Sequence, residues 1–257
     1  MAKIISLVNQ KGGVAKTTST YNIACALVNK GQKVLMVDLD PQASLTIACG
    51  YEPYKITKNI YNAMMPKSSN DYCNIKDCII EKSSGLYLIP SDITLASWEM
   101  MSLRMMDHDR ILSRILNEVE ESYDFILVDC PPQLSTLVFN ALLASDSVLI
   151  PCKPDYMAYR GLENLIMTVK DIIETKANPK LSICGIIITL YDKRIKDDNM
   201  VIELIEENYS NILGIVNNLA VAKKGIYKGI STVNLFPESA VAKEYVAITD
   251  KILNKFR

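Results

Sequence analysis

The chain has 257 residues, is 49% hydrophobic and 22% charged, and balances 28 Lys+Arg against 29 Asp+Glu. That size and composition permit one large α/β domain whose core needs no disulfides. The formal net charge of −1 excludes a general electrostatic affinity for nucleic acid, so any such binding needs a local patch.

Ile4 to Val8 is an apolar run of strand length, and it leads into V-N-Q-K-G-G-V-A-K-T-T at Val8 to Thr18. This stretch predicts a strand, a glycine turn and a helix start. Gly12 and Gly13 open backbone angles that let successive N–H groups converge on an anion at a helix N-terminus, where the dipole also favours negative charge. Lys16 supplies a point charge for phosphate and Thr17 a hydroxyl for Mg²⁺. The spacing is that of a P-loop, with Gln10 and Ala15 standing where the usual pattern has glycine. A helix is expected from Thr17 to Lys30, with Ile23, Ala24, Leu27 and Val28 on its apolar face and Gly31 as its stop.

Lys33 to Val37 predicts a strand covered on both faces, delivering Asp38 and Asp40 at its carboxyl end, with Pro41 ending it. Ligands of doubly wound sheets bind beyond that end of the strands, so these acids should face the glycine loop. Residues 50–85 show no sustained period and are expected as short helices and loops. Leu86 to Pro90 is expected as a short strand, followed by a helix carrying Leu95, Trp98 and Glu99, and the cluster of Met100, Met101, Met105 and Met106 is expected to fill core. Ile111, Leu112, Ile115, Leu116 and Val119 mark an amphipathic helix between Arg110 and Glu120.

Tyr123 to Asp129 then predicts a strand ending in a carboxylate, the Walker B arrangement for holding Mg²⁺. Ala141 to Pro151 reads as a helix end, a turn at Ser145 and Asp146, and another buried strand. Ser182 to Leu190 is expected as a central strand from its β-branched content. Helices are expected at Asp197 to Tyr209 and, as a docked closing element, at Ser239 to Phe256. The alternation predicts a single domain over residues 1–257, a doubly wound, mostly parallel sheet with helices on both faces.

Seven cysteines without ligand spacing and a single histidine, His108, speak against a cysteine metal site and for reduced thiols. No charged leader precedes an apolar run, and no stretch approaches about 18 uninterrupted apolar residues, so a soluble intracellular protein is expected. The one basic bias is local. Residues 220–257 hold seven basic side chains against three acidic ones.

Read together, K-G-G-V-A-K-T-T at 11–18, V-D-L-D-P-Q at 37–42 and D-C-P-P at 129–132 resemble the ParA family of partition ATPases, in the ParA/MinD group with its deviant Walker A motif. Weaker similarities follow in L-Y-L-I-P-S at 86–91, in Gly161 and Leu162, and in Y-D-K-R at 191–194. The resemblance implies a P-loop ATPase using ATP and Mg²⁺. Its nucleotide would lie on Lys11, Gly12, Gly13, Val14, Ala15, Lys16, Thr17 and Thr18, with Asn217 and Asn218 near the adenine. Lys11 is implied to reach the partner's phosphates in a nucleotide-sandwich homodimer, and Asp40, with Lys11 and Lys16, to be catalytic. Thr17, Asp129 and Asp38 are implied as the metal-side residues.

The resemblance further implies non-specific DNA binding in the ATP state, a ParB-type centromere-binding partner, no membrane, and a cytoplasmic, nucleoid-associated location. Lys223, Lys224, Lys228 and Lys243 are the expected DNA contacts. The length matches the small type that lacks a helix-turn-helix. A MinD-like positioning ATPase, an iron–sulfur protein using Cys130, and an adaptor that holds nucleotide with little hydrolysis because of Ala15 are the other readings.

Overall fold

A computed structural model describes residues 1–218, 224–225 and 227–256. Its strands are β1 Lys3–Leu7, β2 Val34–Asp38, β3 Ile80–Ser83, β4 Leu86–Ile89, β5 Phe125–Asp129, β6 Ser147–Cys152, β7 Ser182–Tyr191 and β8 Ile212–Asn217. They form an 8-stranded sheet in the order β3-β4-β2-β5-β1-β6-β7-β8. Every adjacent pair is parallel except β3 and β4, so the doubly wound, mostly parallel fold expected from the sequence is the one observed.

The apolar runs read as buried strands because their two faces serve two cores. Ile4, Leu35, Ile126 and Ile150 point into one cluster, whereas their chain neighbours Ile5, Met36, Leu127 and Leu149 point into the other. Such period-two alternation between two apolar faces is what covering a parallel sheet with helices on both sides requires.

Helix α1, Lys16–Asn29, crosses one face and is closed by Gly31 at φ 83, the left-handed position assigned to it from the sequence. Helices α2 Ser44–Ala48, α3 Ile60–Met64, α4 Leu95–Ser102, α5 Ile111–Asn117, α6 Thr136–Ala144, α7 Tyr156–Glu174 and α8 Lys196–Asn208 follow, then α9 Thr232–Leu235 and α10 Ala240–Phe256. The closing helix α10 buries Val241, Ala242, Tyr245, Ile248 and Ile252, and its Tyr245 hydroxyl lies 3.1 Å from Ser19 Oγ of α1. No helix among the described residues is long and apolar enough to cross a membrane.

Three expectations need correction. Residues 50–85 contain a strand, β3, which joins β4 antiparallel at the sheet edge with an irregular register. Ser182–Tyr191 is not central but next to last, since Ile212–Asn217 adds a further strand outside it. The methionine cluster does not fill core: Met100 is 73% and Met106 91% exposed. The reason lies in α4, which turns Leu95, Trp98 and Ser102 inward and so leaves Met100 on the opposite face.

Candidate nucleotide and metal site

The carboxyl ends of β1, β2 and β5 converge on one cleft. β1 is the strand from which the chain order departs in both directions, the position where doubly wound sheets place their ligands. The cleft has a volume of about 390 Å³ and is lined by the loop after β1 together with Asp40, Ser44, Ile47 and Pro132. A larger cavity of about 680 Å³ opens around Met1, Lys3, Asp124 and Phe256, at the amino ends of the strands and away from every motif.

The loop from Asn9 to Ala15 is held by bonds that local sequence does not announce. Asn9 is fully buried, donates from Nδ2 to the Pro151 carbonyl at 2.7 Å, and accepts the Lys11 amide at 2.9 Å. The Thr189 hydroxyl of β7 donates to the Val14 carbonyl at 2.9 Å. Gly13 has φ 75 and Ala15 φ 60, so two left-handed residues bend the chain into α1.

A left-handed alanine costs roughly 1–2 kcal/mol, somewhat more than the roughly 0.4–1 kcal/mol that alanine saves over glycine in the unfolded chain. Ala15→Gly is therefore expected to raise Tm by about 1–2 °C. Thermal unfolding by circular dichroism checks this, and a fall in Tm would show that the methyl group contributes packing that outweighs the strain.

Lys16 lies behind the loop, only 8% exposed, with its ammonium donating to the carbonyls of Asn9 at 3.2 Å and Lys11 at 3.3 Å. Burial lowers its pKa, and the charge of Asp129 works against that shift. Lys11 instead sits on the rim, where its ammonium pairs with Asp155 at 2.5 Å. Asp155 is also the N-cap of α7, accepting the Ala158 amide at 2.9 Å. Burial works to raise the Asp155 carboxyl, but the Lys11 bond and the cap bond outweigh it and hold the group below its usual range.

Beneath the loop, Thr17 Oγ1 donates to Asp129 Oδ2 at 2.6 Å, and Thr20 Oγ1 donates to Asp129 Oδ1 at 3.3 Å. Asp129 and Asp38 are in register on adjacent strands and both are buried. Burial, then the charge of Asp38, pushes the Asp129 carboxyl up to about 8 despite the Thr17 bond and Lys16. Burial likewise raises Asp38 to about 7, against the bonds it accepts from Thr46. Two buried acids that resist ionisation beside a cationic loop form a site whose charge balance a divalent cation would complete.

The oxygens of Asp38 are already engaged: Oδ2 accepts the Thr46 amide and hydroxyl at 2.8 and 2.7 Å, and Oδ1 the Asp40 amide at 3.2 Å. Asp38 thus fixes Asp40 and α2. Asp40 itself stands half-buried in the cleft with Oδ1 accepting the Gln42 amide at 2.9 Å.

The structure brings together Lys11, Gly12, Gly13, Val14, Ala15, Lys16, Thr17, Thr18, Asp38, Asp40 and Asp129. It places the Asn217 side chain on Glu244, while the exposed Asn218 donates its amide to the Tyr191 carbonyl at 2.8 Å. Lys224 and Lys228 are exposed, and Lys243 pairs with Glu238 at 2.9 Å. Lys223 lies outside the described residues. Arg160 bonds Glu163 one turn along α7 at 2.6 Å. Asn9 and Asp155 were not singled out from the sequence. An asparagine directly after an apolar strand and an Asp after Pro154 are the only local signals they leave.

Comparison with known proteins gives these residues a family. The AAA domain family matches residues 2–183. The sporulation initiation inhibitor protein Soj of Bacillus subtilis is 38% identical over 208 residues, covering 80% of this chain and 79% of its own. The chromosome-partitioning ATPase Soj of Treponema pallidum is 38% identical over 197 residues, covering 76% of this chain and 74% of its own.

Among solved structures, a plasmid partition protein of Borrelia burgdorferi B31 bound to AMPPNP superposes with a TM-score of 0.84 at 29% identity, covering 99% of this chain and 100% of that one. Cobyrinic acid a,c-diamide synthase of Mycobacterium smegmatis, bound to an ATP analogue and magnesium, gives 0.83 at 29% identity, with 100% and 96% covered. Fold, loop and relatives agree, and the chain belongs to the ParA family of partition ATPases within the ParA/MinD group.

Proposed function

We propose that residues 1–257 form one ATPase unit that partitions DNA: it binds ATP with Mg²⁺, dimerises around two nucleotides, holds DNA without sequence preference in that state, and is reset by hydrolysis. The observation that carries this reading is the division of labour between two lysines of one loop, Lys16 buried behind it and Lys11 on its rim. A phosphate site within one chain needs only the first. The second, paired with Asp155 on the rim, is free to reach a partner's phosphates once that pair opens.

The donor set fits the metal. Thr17 and Asp129 offer hard oxygens 2.6 Å apart at the first turn of α1, a suitable pair for Mg²⁺. When bound, the ion supplies neutralising charge to the β- and γ-phosphate oxygens. The loop amides from Gly12 to Thr18 and the N-terminus of α1 take the phosphates, and Lys16 adds a fixed cation where negative charge develops. Asp40, at the mouth of the cleft, orients the attacking water, and Asp38 holds Asp40 in place. Asn217 and Asn218 are proposed near the adenine. Exposed Lys224 and Lys228 contact DNA phosphates; Lys243, occupied by Glu238, contributes less, and Lys223 completes the basic run. A ParB-type partner stimulates hydrolysis, and the ATP-bound dimer resides on the nucleoid in the cytoplasm.

DNA co-sedimentation with ATP, with ADP and without nucleotide tests the reading. ATP is expected to raise the bound fraction several-fold over ADP, and the ATP-dependent fraction should collapse between low and moderate salt, because phosphate contacts release counterions. Equal sedimentation with ATP and ADP would remove its central step.

A further inference from the structure

Two segments far apart in sequence meet at a pair of glycines. Gly50 follows α2 with φ +84, Gly229 has φ +64, and a Cβ on Gly229 would stand 2.8 Å from the Gly50 Cα. Tyr21 fixes the junction from below, its hydroxyl donating to the Gly229 carbonyl at 2.9 Å. A side chain at Gly229 would collide with the Gly50 backbone.

Aromatic rings and lysines gather around this seam. On the Gly50 side the chain runs into Tyr51 and the Pro53–Lys55 turn, where the Lys55 ammonium lies 5.8 Å from the Tyr54 ring. Lys82, of the edge strand β3, lies 5.6 Å from the Tyr51 ring. On the Gly229 side stand Lys224, Tyr227 and Lys228, all exposed. Glu52 is the acid within the first turn, and it pairs with Lys55 at 2.5 Å. Tyr54 is 80% and Tyr227 90% exposed, so neither ring serves the core.

On the outside of a duplex, whose bases stack on one another and turn their faces inward, a tyrosine can offer only its hydroxyl to a phosphate and leaves its ring face unused. A single strand presents phosphates and bare base faces together, and rings interleaved with lysines receive both. We propose that Tyr54 and Lys82 from one side and Lys224, Tyr227 and Lys228 from the other form a composite surface for single-stranded DNA, the rings stacking on bases and the lysines contacting phosphates. It rests on the partition reading for the expectation that ATP enhances binding, and on the structure alone for the rings.

Fluorescence anisotropy of the full chain, with ATP or ADP, against labelled oligothymidylate and a duplex of equal length tests both. Tyr54→Ala and Tyr227→Ala are each expected to weaken oligothymidylate binding about tenfold, as loss of one base stack does, and duplex binding less than about twofold. Tyr54→Phe and Tyr227→Phe should retain wild-type binding, and Lys228→Ala should weaken both ligands. Duplex binding without oligothymidylate binding, or tyrosine variants that bind oligothymidylate like wild type, would overturn the surface. Tyrosine-dependent oligothymidylate binding that ignores nucleotide, with no ATP-enhanced duplex binding, would keep the surface and overturn the partition reading.

Discussion

Lys16→Ala is expected to weaken ATP binding about 100-fold while leaving the fold in place. The ammonium is buried behind a loop whose amides converge on the same cleft, so its contribution to a phosphate is made with little screening by water. A hydrogen bond to a charged group contributes about 1.5–3 kcal/mol, and the upper end, about 100-fold, suits a buried cation facing an anion. Stability should change far less. The variant loses bonds to the Asn9 and Lys11 carbonyls, but it also removes a cation whose pKa burial already lowers. Titration with a fluorescent ATP analogue, alongside a thermal melt without nucleotide, separates the two effects. Binding within about threefold of wild type would mean that the loop amides alone hold the phosphates.

Asp40→Ala should do the reverse. Its carboxylate is anchored by the Gln42 amide on one oxygen and positioned through the Asp38 bond to its own amide, so it sits as an aimed group and not as a ligand of the loop. Positioned acid–base groups contribute about 10²–10⁴ in rate, and the lower half of that range is expected for a residue that orients water. Turnover should therefore fall about 100- to 1,000-fold with ATP affinity unchanged or higher, since a negative charge near the γ-phosphate is removed. Phosphate release measured together with light scattering in ATP would then show a dimer that accumulates without turning over. Equal turnover in wild type and variant would take Asp40 out of the mechanism.

The site was legible where chemistry is local in sequence. The glycine pair, Lys16 and Thr17 lie within a few residues of a strand end, and Asp129 closes its own strand, so each motif carried its position in the fold with it. Asn9 could not be read that way, because its bond to Pro151 spans 142 residues. The resemblance implies Asp38 as a metal-side acid; that Thr46 takes up its oxygens depends on how α2 folds back, which no local motif carries. The edge strand β3 leaves no such signal, because Ile80–Ser83 alternates between half-buried and exposed residues and carries no long apolar run. β7 reads as central from its sequence because any strand covered on both faces is apolar wherever it lies in the sheet. The methionines misled for a related reason: hydrophobicity indicates that a side chain would gain from burial, while a short helix has only one inward face to offer.

The ion pair between Lys11 and Asp155 raises the protein concentration at which the proposed dimer forms. A lysine engaged within its own chain cannot at the same time reach a neighbour, so each protomer must first open this contact. Both side chains are partly solvated, and such pairs contribute about 0.5 kcal/mol each. Two of them make about 1 kcal/mol, roughly a fivefold smaller association constant than a chain with a free Lys11 would have. The same aspartate caps α7, so the pair also ties the loop after β1 to the first turn of that helix.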